Sequence, residues 1–240
     1  MNTFDVSLIA LLNELAQRSW TFDSLVVFIA ESHLLKGGIL TMLVWGVWFS
    51  SDENQERMRN REVVLTALFA CFVALFIARL LQVALPFRLR PLHIPELGFK
   101  LPYSMAPRVL EDWSSFPSDH ATLFFSLAAG LFSISRFVGT VSLIYVLVVI
   151  CIPRIYIGLH FPSDIIGGAV LGIATTYLAT RNTAFKRIMH STAMTWEQRS
   201  PATFYPCFFI LTYQIATLFG DVRYMATFIF SITSAVLRLG

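Results

Sequence analysis

Six stretches of about 17 to 25 mostly apolar residues, 34–50, 63–85, 116–135, 138–157, 161–180 and 203–220, dominate this chain. A run of that length is what a helix needs to cross the hydrocarbon core of a bilayer. Of the 240 residues, 56% are hydrophobic and 14% charged, where a soluble domain carries charge on roughly a quarter. The expected fold is therefore all-α, a polytopic membrane helix bundle forming one domain over 1–240: interfacial helices in 1–33, a six-helix core over 34–220 and a tail over 221–240.

Ahead of the first long run, Phe4, Leu8, Leu11, Leu12 and Leu15 recur at helical spacing with Asn13, Glu14, Gln17 and Arg18 on other faces. Phe22, Leu25, Val26 and Ile29 repeat the pattern. Two short amphipathic helices are expected, lying at the interface or serving as lids over a neighbouring helix. With Asp5 and Glu14 present and no basic region before an apolar run, this segment does not read as a cleavable signal. Residues 224–237 are apolar but short, and suit either a returning segment or an interfacial helix.

The polar connections expected are 51–62, Arg136 with Phe137, 181–202 and the long segment 86–115. Alternation puts 86–115, the junction near 158–162 and the N-terminus on one face. The other face receives Arg57, Arg59, Arg61, Arg136, Arg181, Lys186, Arg187 and Arg199 in short loops, which marks it as cytoplasmic. Net charge is only +3 and the basic residues are not interleaved with aromatics, so no nucleic-acid partner is expected. Cys71, Cys151 and Cys207 fall inside apolar segments without metal-ligand spacing and read as small core residues, with no disulfide expected.

Three polar clusters interrupt the apolar pattern, and ionisable groups near a membrane are costly unless something uses them. They are Arg88-Leu89-Arg90-Pro91, Phe116-Pro117-Ser118-Asp119-His120, and the stretch from Arg154 through His160 to Asp164. By helix count all three reach the same face. Three arginines, two histidines and two aspartates gathered there suit a doubly charged anion, above all phosphate, whose oxygens match guanidinium forks. A helix starting at Pro117 or Pro162 would add backbone N–H groups. His33, His93 and His190 belong to none of the clusters and read as loop or interface residues.

Arg90-Pro91, Pro117-Ser118-Asp119-His120 and Arg154-x5-His160-x3-Asp164 resemble, in order and spacing, the type 2 phosphatidic acid phosphatase family, whose pattern is Lys-x6-Arg-Pro, Pro-Ser-Gly-His and Ser-Arg-x5-His-x3-Asp. The resemblance implies that His160 attacks phosphorus, with Asp164 holding its ring. It implies that His120 protonates the leaving oxygen, that Arg90 and Arg154 bind the equatorial oxygens, and that Ser118 adds a hydrogen bond. No metal or other cofactor is implied.

Three positions depart from the family pattern. Val83 stands where the family has lysine, and Arg79, one turn earlier, either reaches the phosphate or snorkels to the interface or pairs with a carboxylate. Asp119 replaces glycine; it is expected to point away and cap the helix, with discrimination against fully charged monoesters as the alternative. Pro153 replaces serine. Arg88 either assists with phosphate charge or is a solvated loop residue.

Compact members of this family resemble bacterial undecaprenyl pyrophosphate phosphatases, which makes a lipid phosphate within the membrane the expected partner and the outer face of an inner membrane the expected place. Phosphatidic acid, phosphatidylglycerol phosphate and lipid A phosphate use the same residues, for hydrolysis or for phosphotransfer. A non-enzymatic lipid transporter or binding protein is the alternative from another class.

Overall fold

A computed structural model describes residues 2–50, 53–106, 110–222, 224–225 and 227–229, and among them there are helices and no strand. Two short helices come first, α1 (Thr3–Asn13) and α2 (Trp20–Glu31). Helix α3 (Leu34–Trp48) is bent by 59° from α2 and opens with a π turn at Leu34–Gly38. The remaining helices are α4 (Asn54–Ala84), α5 (Asp119–Ile134), α6 (Arg136–Tyr156, with a π turn at Val146–Cys151), α7 (Pro162–Arg181), α8 (Thr183–Arg199) and α9 (Pro201–Ala216). Between α4 and α5 the chain is irregular apart from single 3-10 turns at Pro91–His93 and Pro95–Leu97.

The chain is thus a helical membrane bundle. Among the described residues α4, α6 and α7 are each long and apolar enough to cross a bilayer, and the number rises to five if α2 with α3, and α9 with the residues after it, count as bent spans. The expected crossing 116–135 is shorter than the hydropathy suggests. Its helix, α5, begins only at Asp119 and has 16 residues, so it is about 24 Å long against a hydrocarbon core of about 30 Å. It can be short because it is the centre of the bundle: nearly every side chain from Ala121 to Leu131 is buried against α4, α6 and α7.

Small residues make that packing possible, as they do wherever membrane helices approach closely. A Cβ at Gly172 of α7 would lie 2.2 Å from the Thr122 carbonyl oxygen, and one at Gly130 of α5 would lie 2.3 Å from the Ala67 methyl group. Ser126 and Thr176 hydroxyls meet at 2.7 Å across the same interface. Gly172→Val should therefore remove the thermal unfolding transition in detergent or lower stability by about 1–3 kcal/mol. A variant as stable as the parent would mean that α5 and α7 are not in this contact.

The first two helices turn inside out relative to a soluble protein. Helix α1 buries Asp5, Ile9 and Asn13 while Phe4 and Leu11 are exposed; α2 buries Asp23, Val27 and Ala30 while Trp20, Leu25 and Phe28 are exposed. Lipid is as apolar as a leucine side chain, so the polar stripe gains more by packing on protein than the apolar one does. Asp23 accepts hydrogen bonds from the backbone N–H groups of Gln17 and Tyr103 at 3.0 and 2.9 Å and from the Tyr156 hydroxyl. It thereby ties α2, the long outer loop and the end of α6 together.

Two expected loops are helical. Residues 54–62 are the first turns of α4 and 183–199 form α8, because loss of apolar character marks where a chain leaves the membrane, not where a helix stops. Arg61 of α4 donates to both carboxylate oxygens of Glu197 at 2.8 Å, and Tyr205 donates to one of them at 2.6 Å, which pins α8 beneath α4 and α9. Cys71 and Cys151 are buried as expected, but Cys207 is exposed on an outer face of α9. Of the apolar tail 224–237, residues 226 and 230–237 lie outside the described residues.

Candidate active site

The three polar clusters sit at helix ends that alternation brings to one side: the end of α4, the start of α5, the end of α6 and the start of α7. There, Arg79, Arg90, Asp119, His120, Arg154 and His160 line one cavity of about 200 Å³.

His160 lies in the turn between α6 and α7 and is buried. Its Nδ1 is 2.9 Å from the Ser115 carbonyl oxygen, and a carbonyl can only accept, so Nδ1 carries the proton and Nε2 keeps a lone pair. Burial, opposed by Asp164, pulls the imidazole below its usual 6.5 and keeps it neutral. Arg90 Nη1 approaches His160 Nε2 to 3.5 Å. The same guanidinium is clamped by carbonyl oxygens of Leu159, Leu110 and Ser114 at 2.7, 3.3 and 3.4 Å. Burial lowers its pKa to about 10, so it remains charged at neutral pH.

Arg154 is held near the end of α6 by an irregularity that the sequence hides. Pro153 has no N–H and crowds the preceding turn; the π turn at Val146–Cys151 absorbs that interruption without ending the helix. The Arg154 Nη2 donates to His120 Nε2 at 2.7 Å, while its buried Nε has no hydrogen-bond partner among the described residues. An orphaned donor on a buried guanidinium is costly, and an anion in the cavity would relieve it.

Asp164 is placed one step back from the cavity. It is fully buried, accepts from the Phe161 backbone N–H at 2.7 Å as part of a helix cap, and stands 3.7 Å from His160 Nδ1. The Ser115 carbonyl, not Asp164, makes the direct hydrogen bond to the ring.

Several residues lie elsewhere than the sequence suggests. Arg88 does not line the cavity; it donates to Asp164 at 2.6 Å, to Ser163 at 2.9 Å and to Asp5 of α1 at 2.8 Å, with its guanidinium over the Phe161 ring. Asp5 also accepts from the Ser163 N–H and hydroxyl at 2.9 and 2.6 Å, so the first helix buttresses the His160 turn. Ser118 is the N-cap of α5: its buried hydroxyl accepts from Ala121 N–H at 3.5 Å, and it is not among the cavity-lining residues.

Asp119 does not point away. Its carboxylate meets Arg79 at 2.5 Å and accepts from Gln82 at 2.8 Å, so the two departures from the family pattern neutralise one another. Val83, where the family has lysine, is 87% exposed and faces outward, whereas Arg79 enters the cavity beneath Trp113. Arg79 thus lines the cavity and is paired with a carboxylate.

Sequence reasoning took His33 for a loop or interface residue and passed over Lys36, but both line the same cavity at the start of α3. The available signal was a lysine inside an apolar run, followed by Gly37-Gly38.

A family model described as the PAP2 superfamily matches residues 63–188. A putative undecaprenyl-diphosphatase of Escherichia coli is 27% identical over 173 residues, 72% of this chain and 79% of that protein. A bacitracin transport permease protein of Bacillus licheniformis is 28% identical over 68% of this chain and 72% of its own length. An undecaprenyl-diphosphatase of Bacillus subtilis is 25% identical over 70% of this chain and 78% of its own length. No solved structure matches the chain significantly. The matched span runs from the middle of α4 to α8 and includes every motif residue around the cavity, and on that ground this membrane phosphatase belongs to the PAP2 superfamily.

Proposed function

We propose that the protein hydrolyses the terminal phosphate of a lipid diphosphate, undecaprenyl pyrophosphate foremost, through a phosphohistidine at His160. The observation that carries this is the meeting of His120, His160, Arg90 and Arg154 in one cavity, with the His160 tautomer fixed so that Nε2 is the free base.

In the first step the Nε2 lone pair attacks phosphorus, the P–N bond forms, and the bond to the leaving phosphate oxygen breaks. His120 gives that oxygen its proton. Arg90 and Arg154 hold the equatorial oxygens, where charge is concentrated. Arg154 Nη2 also donates to His120 Nε2, so phosphate oxygens that draw the guanidinium away leave that nitrogen open to a proton. The ring, now cationic, is stabilised by the Ser115 carbonyl on Nδ1 and by Asp164 behind it. In the second step water attacks phosphorus, His120 accepts its proton, and the P–N pair returns to His160.

Because the nucleophile must be neutral, kcat/KM should rise with pH through an acid limb whose midpoint lies below 6.5, the direction in which burial moves His160. An acid limb centred above pH 7 would contradict this assignment. The substrate is tested by phosphate release from purified protein across undecaprenyl pyrophosphate, phosphatidic acid and phosphatidylglycerol phosphate. The diphosphate should have the highest kcat/KM, and preference for a monoester would reassign the substrate. One relative is named a transport permease, which favours a second reading as a transporter; activity lost in His160→Ala separates the two.

We place the site at the extracytoplasmic face of a bacterial inner membrane. Support comes from Arg57, Arg59, Arg61, Lys186 and Arg187, which lie at the opposite end of α4 and in α8.

A further inference from the structure

The mechanism above leaves Lys36 unused. It stands in the π turn that opens α3, is 5% exposed, and lines the same cavity as His120, Arg154 and His160. Among the described residues no hydrogen bond or ion pair holds its ammonium group; its electrostatic neighbours are Arg154, which repels it, and Glu31, which lies outside ion-pair distance and does not line the cavity. A buried cation beside another cation is unfavourable unless an anion joins them.

The local backbone is built to keep Lys36 there. A π turn frees carbonyls from the regular ladder, and side-chain hydroxyls take up three of those near Lys36. The Tyr145 hydroxyl of α6 donates to the Leu35 carbonyl, and Thr41 donates to the Gly37 and Gly38 carbonyls at 3.0 and 2.9 Å. A Cβ at Gly37 would lie 2.3 Å from both Cα and carbonyl oxygen of Ala216, so the turn is seated directly on the end of α9. Just beyond that end, Thr217 and Leu218 complete the cavity wall. Lys36 is therefore fixed by α6 and α9.

Charge then decides what the cavity is made for. Among the described residues its lining carries four basic side chains, Lys36, Arg79, Arg90 and Arg154, and one carboxylate, Asp119, which Arg79 already neutralises. Three positive charges are left over. A phosphate monoester brings at most two negative charges at neutral pH, whereas a diphosphate monoester brings about three. Arg90 and Arg154 are taken by the phosphate under attack. We infer that Lys36 forms a second phosphate subsite, holding the lipid-proximal phosphate that leaves with the product, and so selects diphosphate over monophosphate esters. This rests on the cavity being the phosphatase site.

The test compares farnesyl diphosphate with farnesyl phosphate as matched substrates for wild type, Lys36→Met, Lys36→Gln and Lys36→Arg. Both neutral variants should lose kcat/KM on the diphosphate about 30- to 100-fold, and at least about tenfold more than on the monophosphate, with Lys36→Arg restoring most of the preference. Inorganic pyrophosphate should compete better than inorganic phosphate against wild type and lose that advantage in both neutral variants. Equal losses on the two substrates, or an unchanged ratio, would overturn the subsite while leaving phosphatase action intact. Wild type inactive on both substrates, with His160→Ala no different, would overturn the underlying function and the subsite with it.

Discussion

Phosphate release should fall by about a thousandfold or more in His160→Ala, with no change in the thermal unfolding transition. The loss is expected in kcat, because the variant keeps Arg90 and Arg154 to bind the phosphate but has no lone pair to attack it. His160 makes one direct backbone hydrogen bond, to Ser115, and the turn around it is held independently by Asp164, Arg88 and Asp5. That network is why the fold should survive the substitution. Persistent turnover would mean that water attacks phosphorus directly and that His160 has another task.

Arg154→Ala should cost about 10²- to 10³-fold in kcat/KM, the usual result of removing one donor aimed at developing charge. Two effects add. The transferred phosphoryl group loses a buried cation, and His120 loses its hydrogen-bond donor at Nε2. Arg154→Lys keeps the charge but not the fork, and should recover only part of the rate. A wild-type rate in Arg154→Ala would remove Arg154 from the chemistry.

The candidate site was legible because its residues carry their own signal. Arg90, His120, Arg154, His160 and Asp164 are polar residues in apolar surroundings, at offsets that helix alternation converts to one face. What escaped depended on direction, which hydropathy does not encode. The apolar stripes of α1 and α2 are evident in the sequence, but only the protein surface they pack against shows that the opposite stripe, with Asp5 and Asp23, is the one turned inward. Asp119 and Arg79 are separated by the whole outer loop, so each looked like an isolated departure until the structure paired them. Lys36 was passed over because the π turn that carries it at the cavity wall has no composition of its own. Arg88 and Ser118 share the clusters of the cavity residues, yet their side chains are consumed by Asp164 and by the start of α5.

The covalent step can be observed directly. Wild-type protein quenched within one turnover of a lipid diphosphate labelled in its terminal phosphate should retain label that is stable to alkali and lost in acid, and peptide mapping should place it on His160 alone. Label on another residue, or none under conditions where phosphate is being released, would contradict the account of how these four side chains act on one phosphorus atom.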